Sequence, residues 1–207
     1  MAEPLYPLLT LSRLRMGTDG TGVTTLIAGA GCPLRCPYCI NRRMLAEAKA
    51  ESVTASELLE RVRIDDLYFQ ATGGGVTFGG GEPLLHAAFL GRFRALCPDA
   101  WRVSVETSLA VPRQQVALAA EAADAFIVDC KDMHPDIYRR YTGGDESLME
   151  GNLRFLLDAV GAARVLVRVP GISGYNSRAE QAESVEKLRA LGVERLDVFD
   201  YVVRAER

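Results

Sequence analysis

The chain has 207 residues, long enough to bury a substantial core. With 48% hydrophobic and 25% charged residues it reads as globular rather than disordered. A formal net charge of −3 gives no electrostatic reason to expect nucleic acid, and no apolar window reaches transmembrane length, so neither a nucleic-acid nor a membrane partner is expected. Residues 1–15 are leucine-rich but interrupted by Pro4, Pro7, Arg13 and Arg15, which suits neither a signal peptide nor an anchor. The expected organisation is one domain over 1–207, with 1–20 as an N-terminal extension. Residues 23–28 form a β-rich run that leads into three clustered cysteines. Thr54-Ala55-Ser56-Glu57 is a capping box, followed by Leu58, Leu59 and Val62 at helical spacing. Residues 76–78 make a short strand ending in glycines, and Phe89, Phe93, Leu96 and Cys97 mark a helix face closed by Pro98. Residues 102–106 alternate as a strand should. Pro112 suits a first helical position, with Val116, Ala119, Ala120 and Ala123 on one face. Residues 126–128 and 165–167 are short buried strands on either side of a helix striped by Met149, Leu153, Leu156, Leu157 and Val160. Ala182, Val185, Leu188 and Leu191 mark a last helix that ends at Gly192, before a final strand over 196–201.

Six strands alternating with five helices imply parallel strands joined by right-handed crossovers. Six units fall short of a closed eight-unit barrel. An open (β/α)6 partial TIM barrel is the expected fold, with a flat doubly wound sheet as the alternative. In either, ligands belong at the carboxyl ends of the strands, and the chemistry-bearing residues fall there: the cysteines, Gly79-Gly80-Gly81-Glu82-Pro83, Glu106-Thr107-Ser108, Asp129-Cys130-Lys131 and Arg168.

Cys32, Cys36 and Cys39, spaced Cys-x3-Cys-x2-Cys, put three thiolates in one loop. Soft ligands of this kind select iron–sulfur clusters or zinc. A cubane cluster takes four thiolates, so three would leave one iron open. A zinc site would draw a fourth ligand from His86, His134, Cys97 or Cys130, but zinc sites usually come as two cysteine pairs and no second pair exists. Five cysteines, three of them clustered, do not suggest a disulfide framework, and a cytoplasmic location is expected. Cys97 and Cys130 read as buried thiols. The glycine run 79–81 is either a plain tight turn or backbone that approaches a ligand closely, with free edge groups to bond it. Lys131 and Arg168 are donors suited to a carboxylate, or else ordinary ion-pair partners, Asp129 with Lys131 for instance.

The loop Gly31-Cys32-Pro33-Leu34-Arg35-Cys36-Pro37-Tyr38-Cys39 resembles the cluster-binding loop of the radical S-adenosylmethionine (radical SAM) superfamily, including the aromatic Tyr38. Residues 69–85 resemble, more narrowly, the activating enzymes of glycyl-radical enzymes, of the pyruvate formate-lyase type. Cys39-Ile40-Asn41, Glu106-Thr107, Asp129-Cys130-Lys131, Tyr141-Thr142-Gly143 and residues 168–176 match that family in the same order, so the resemblance runs over nearly the whole chain from Gly31 onward. It implies a [4Fe–4S] cluster on Cys32, Cys36 and Cys39, with the amine and carboxylate of S-adenosylmethionine on the open iron. Gly80, Gly81 and Glu82 would cradle the amine, Tyr38 would lie against the cofactor, and Lys131 and Arg168 would steady the carboxylate. Glu106, Thr107 and Asp129 match a site for a monovalent cation, where the family often has Asp at the first position. The implied chemistry is reductive cleavage to a 5′-deoxyadenosyl radical, which abstracts hydrogen from a glycine of a partner enzyme. A flavodoxin or ferredoxin would supply the electron, in an anaerobic setting.

The chain departs from the activase pattern at its end. The family carries Pro-Tyr-His after the sixth strand, where this chain has Val202 at the histidine position and stops at Arg207 without a sixth helix. This predicts a wide, less polar mouth. No ferredoxin-like insertion lies between Cys39 and Gly79. The runner-up is a small-molecule radical SAM enzyme resembling 7-carboxy-7-deazaguanine synthase. It would need a pocket for a flat heterocycle, and with one tryptophan the sequence presents no dedicated aromatic set. A non-catalytic electron carrier would call for a fourth cluster cysteine.

Overall fold

The computed structural model describes residues 3–201. The Val202 position and the expectation of a chain without a sixth helix therefore lie outside the described residues. One mixed eight-stranded sheet organises the chain, in the order β3-β1-β2-β4-β5-β6-β7-β8. Six strands are parallel: β2 (Val23–Gly29), β4 (Gly75–Gly80), β5 (Arg102–Thr107), β6 (Ala125–Asp129), β7 (Val165–Gly171) and β8 (Arg195–Asp200). These are the six strands expected from the sequence, with bounds moved by one or two residues except in β7, which runs four residues past its expected end. Because they run in chain order without a reversal, there is no topological switch point, and the doubly wound alternative is excluded. The sheet stays open, with β3 and β8 as its edges.

Residues 1–20 do more than extend the domain. Tyr6–Met16 forms β1, antiparallel to β2, and Glu51–Val53 forms β3 on its other side. Pro7 is tolerated because it sits near the sheet edge, and its carbonyl still accepts from Ala30 N–H at 2.9 Å. The β1–β2 hairpin turn folds under the sheet. There Asp19, 3% exposed, pairs with Arg15, its carbonyl accepts from Thr77 Oγ1 at 2.5 Å, and Gly20 packs against Ser104. The turn closes the amino end of the strands from inside.

The helices are α1 (Arg42–Glu47), α2 (Ala55–Val62), α3 (Asp66–Thr72), α4 (Ala87–Arg94), α5 (Arg113–Ala122), α6 (Pro135–Thr142), α7 (Glu146–Val160) and α8 (Arg178–Ala190). The capping box at Thr54–Glu57 is formed on both sides. Pro112 precedes α5 as its N-cap rather than opening it. Gly192, at φ +92°, ends the last helix as expected. Helices α2, α4, α5 and α7 pack in sequence against one face of the sheet. Along β5, Val103 and Val105 face these helices, while Ser104 and Glu106 face the other side. The core is dense in aromatics: Phe78 meets Tyr6 and Phe93 edge-on at 5.5 and 5.2 Å between ring centres, and Phe69 meets Trp101 at 4.9 Å.

The apolar face expected for the last helix differs. Ala182 is exposed, and the buried face of α8 carries Gln181, Ser184 and Leu188. Gln181 Nε2 donates to the carbonyls of Val169 and Phe199, both at 3.0 Å, and Ser184 Oγ donates to Asp132 at 3.2 Å. Polar residues are buried here because they satisfy the last two strands and the loop after β6.

Candidate active site

The concave face of the open sheet encloses a cavity of about 660 Å³. Cys32, Cys36, Cys39, Tyr38, Gly80, Gly81, Glu82, Glu106, Thr107, Asp129, Lys131 and Arg168 all line it. These twelve residues therefore share one space, reached from the carboxyl ends of β2, β4, β5 and β6 and, for Arg168, from the middle of β7 rather than the strand end expected.

The cysteine loop follows β2 and is tied down at its root by the glycine run. Gly81 N–H donates to the Gly29 carbonyl at 3.0 Å and Glu82 N–H to the Gly31 carbonyl at 2.8 Å. Gly80 takes φ +88°, and a Cβ on Gly81 would run into the Gly31 carbonyl. The glycines thus permit a close backbone-to-backbone approach, and their N–H groups are not free as expected. Asn41 Nδ2 donates to the Gly80 carbonyl at 2.8 Å. Cys32, Cys36 and Cys39 are free thiols. Burial pushes the Cys36 thiol up to about 11, against the Lys131 charge. It pushes Cys32 up as well, opposed by the Leu34 N–H aimed at its sulfur. Both sulfurs therefore hold their protons at neutral pH until a metal displaces them.

Glu82 is 2% exposed and accepts four hydrogen bonds: from Thr107 Oγ1 at 2.7 Å, Ser108 N at 2.8 Å, Ser108 Oγ at 2.6 Å and Leu84 N at 3.1 Å. Burial still pushes its carboxyl up, against these donors. Its carboxylate ties the end of β4 to the end of β5, and the Thr107 hydroxyl is committed to it. Lys131 Nζ donates to Asp129 at 2.8 Å and to Tyr201 OH at 3.0 Å. Burial works against the Lys131 charge, but Asp129 and Tyr201 outweigh it and hold its pKa well above the usual lysine value. Arg168 pairs with Glu106, donates to the Thr18 carbonyl of the hairpin turn, and has Asp197 at 3.8 Å. Burial, with repulsion from Asp129, pushes the Glu106 carboxyl up against the pull of Arg168. Both cations thus have carboxylate partners inside the cavity. Glu106 is paired with Arg168, Asp129 with Lys131, and the Thr107 hydroxyl is bonded to Glu82.

Sequence reasoning missed an aromatic wall. Tyr38, Tyr141, Phe199 and Tyr201 line the cavity, and Tyr175 packs behind them, 4.9 Å from Tyr141 and 5.8 Å from Tyr38 between ring centres. These rings come from the cysteine loop, α6, the loop after β7 and β8, so no local pattern announces them. The expectation of no dedicated aromatic set is overturned, since tyrosines, not Trp101 in the core, supply it. Both histidines are engaged elsewhere. His86 stacks edge-on against Tyr6, and His134 is held between Asp132 at 2.8 Å and Glu183 at 2.7 Å. Cys97 and Cys130 are buried. Among the described residues no three His, Cys, Asp or Glu side chains are gathered around a single-ion position. A cubane, whose thiolates bind separate irons, asks for a wider triangle. Three free thiols on one loop, with backbone N–H directed at sulfur, suit that group.

Among solved structures, Streptococcus suis SuiB bound to S-adenosylmethionine matches at a TM-score of 0.65, with 13% identity, over 84% of this chain and 39% of that chain. Native anSMEcpe with bound AdoMet and a Kp18Cys peptide matches at 0.62, with 18% identity, over 86% and 51%. At these identities the likeness concerns the fold. In sequence, the (2S)-3-sulfopropanediol dehydratase activating enzyme of Klebsiella oxytoca is 33% identical over 65% of this chain and 42% of its own length. The pyruvate formate-lyase-activating enzyme of Clostridium pasteurianum is 34% identical over 60% and 52%. The chain thus spans about half the length of these curated relatives. No helix among the described residues is long and apolar enough to cross a membrane. The family signature described as "Radical SAM superfamily" matches residues 26–203, and with the three-cysteine loop at the mouth of the cavity the chain belongs to that superfamily.

Proposed function

We propose that this protein is a glycyl-radical-enzyme activase, which holds a [4Fe–4S] cluster on Cys32, Cys36 and Cys39 and removes hydrogen from a glycine of a partner protein. The observation that carries this reading is the position of the three free thiols, on a loop opening onto a cavity that offers both cations and carboxylates. When bound, the cluster and S-adenosylmethionine would together supply a 5′-deoxyadenosyl radical as the hydrogen-abstracting agent.

The chain's own residues would position and shield. The Gly80 and Gly81 carbonyls would serve as acceptors, which an ammonium needs. Lys131 and Arg168 would exchange a carboxylate partner within the protein for the methionyl carboxylate, while Asp129 and Glu106 would remain to face the cationic parts of the cofactor. The aromatic wall would exclude water beside the reacting atoms. A flavodoxin or ferredoxin would reduce the cluster, and the oxygen sensitivity of an open iron calls for an anaerobic setting. The activating enzymes among the relatives support a protein substrate.

The aromatic wall favours one second reading: a small-molecule radical SAM enzyme, resembling 7-carboxy-7-deazaguanine synthase, that stacks a flat heterocycle on Tyr38, Tyr141 or Tyr201. Mixing the reduced protein, S-adenosylmethionine and candidate glycyl-radical proteins separates the two. The activase reading expects the doublet EPR signal of a glycine-centred radical, and deuterium at the target glycine should collapse the doublet and appear in 5′-deoxyadenosine. Cofactor cleavage with turnover of a heterocycle and no transfer to any protein would favour the second reading.

A further inference from the structure

The stretch Tyr141-Thr142-Gly143 matches the family in sequence, yet the chemistry above gives most of it no role. The structure places it directly against the cysteine loop. Helix α6 ends at Thr142, where Gly143 turns left-handed at φ +72°. The last carbonyls of a helix lack intrahelical partners. The Thr142 carbonyl finds one in Arg35 N–H, 2.8 Å away, between the first two cysteines. The Thr142 hydroxyl sets the turn, donating to the Tyr138 carbonyl at 2.8 Å and accepting from Gly144 N–H at 2.9 Å.

Leu34 then fills a socket made by this turn. Of residues 31–40 it alone is buried, at 9% exposure, while its neighbours Pro33 and Arg35 are exposed. A Cβ added to Gly144 would lie 2.7 Å from Leu34 Cδ2, and 3.3 Å from both Thr142 Oγ1 and Tyr138 Cε1. Any side chain at 144 would force the Leu34 methyl to move. The third hold is aromatic. Tyr38 packs on Tyr141 at 6.2 Å between ring centres, and its hydroxyl donates to the Ser173 carbonyl at 3.3 Å.

We propose that the turn Thr142-Gly143-Gly144, with Leu34 as its plug, is the positioning element that fixes the cysteine loop and thereby sets the environment of a cluster bound there. The loop has no secondary structure of its own up to α1, so its geometry is borrowed from α6. Two consequences follow for a bound cluster. The carbonyl end of α6 presents partial negative charge to the loop, which disfavours adding an electron. The seated loop also limits solvent access, which disfavours the more highly charged reduced state. Both lower the reduction potential, so unseating the loop should raise it.

The inference rests on the cluster reading only for its second readout. The first is the rate at which each of Cys32, Cys36 and Cys39 is alkylated in the metal-free protein, resolved by mass spectrometry. Gly144→Val should speed alkylation of Cys36 by at least about tenfold, as overpacking unseats Leu34. Leu34→Ala in the Gly144→Val background should restore a rate close to wild type, because the smaller side chain vacates the space the valine needs. The second readout is the midpoint potential of the reconstituted protein, which should rise in Gly144→Val and return in the double variant. If Gly144→Val fails to fold, Gly144→Ala meets the same Leu34 methyl and carries the same comparison. Wild-type alkylation rates in the single variants, or no rescue by Leu34→Ala, would overturn the proposal. Expected alkylation rates in a wild-type protein that takes up no cluster would leave the socket standing and overturn the cluster reading instead.

Discussion

The cysteine loop and the helix-facing core are held together in opposite ways. Phe78, Tyr6, Phe89 and Phe93 are at most 1% exposed and support one another through ring contacts, edge-on for Phe78 with Tyr6 and Phe93 and tilted for Tyr6 with Phe89. The loop over 31–40 buries only Leu34 and hangs on a few bonds to residues far along the chain: Glu82 N–H, Thr142 O, Ser173 O. Stability resides in the first region and the proposed chemistry in the second. Substitutions in one should therefore leave the other largely intact, which gives several ways to break the comparison.

The largest effect belongs to the loop. Cys36→Ala is expected to abolish cluster binding, with loss of the broad visible absorbance and of the reduced-state EPR signal, while the far-UV CD melt stays at its wild-type midpoint. Replacing Cys97 or Cys130 by Ser should leave the cluster signals intact, since both are buried away from the cavity. A Cys36→Ala protein that unfolds would show that the loop carries stability after all. The converse test is Phe78→Ala, expected to cost about 3–5 kcal/mol by urea denaturation. Below the unfolding transition its cysteines should keep the wild-type order of alkylation rates.

A smaller effect sharpens the comparison inside the cavity. Lys131→Ala removes a charged hydrogen-bond donor worth roughly 1.5–3 kcal/mol, so S-adenosylmethionine should bind about 10- to 150-fold more weakly with the cluster still assembled. Unchanged affinity by titration would assign Lys131 to its ion pair with Asp129 alone.

How far the sequence disclosed this division depends on the range of the interactions. The parallel strands were legible because each is a short apolar or alternating run, as at residues 76–78 and 102–106. Most candidate site residues were legible because strand ends are where a parallel sheet exposes them, whereas Arg168 reaches the cavity from the middle of β7. Strand β1 was missed because Pro4 and Pro7 outweighed the alternation of Tyr6 and Leu8, both of which are buried. Helix α6 was missed although Pro135 at its start and Gly143 just past its end mark it, since its apolar residues Ile137, Tyr138 and Tyr141 are interleaved with charges. The polar face of α8 and the aromatic wall were beyond local reading: Gln181 is buried only because two strand carbonyls need a donor there, and the tyrosines meet only in three dimensions.

The smallest effect lies at the foot of α7. Glu146 is 7% exposed, and its Oε1 has no hydrogen-bond partner. Burial, then repulsion from Glu150, raises its pKa to about 7. The fold favours its protonated form, so its contribution to stability is full below the ordinary carboxylate range and is lost as pH rises through about 7. The urea midpoint should fall between about pH 5 and pH 7 in the wild type and flatten in Glu146→Gln, with alkylation of the loop cysteines unchanged by the substitution.

The central claim is that the three thiols hold a cluster with an iron open to S-adenosylmethionine in the adjoining cavity. EPR of the anaerobically reconstituted, reduced protein, recorded before and after addition of S-adenosylmethionine, tests it most directly. The expected result is a signal whose g-values change on addition, followed by formation of 5′-deoxyadenosine. A cluster signal indifferent to S-adenosylmethionine, or a protein that binds only zinc, would contradict it.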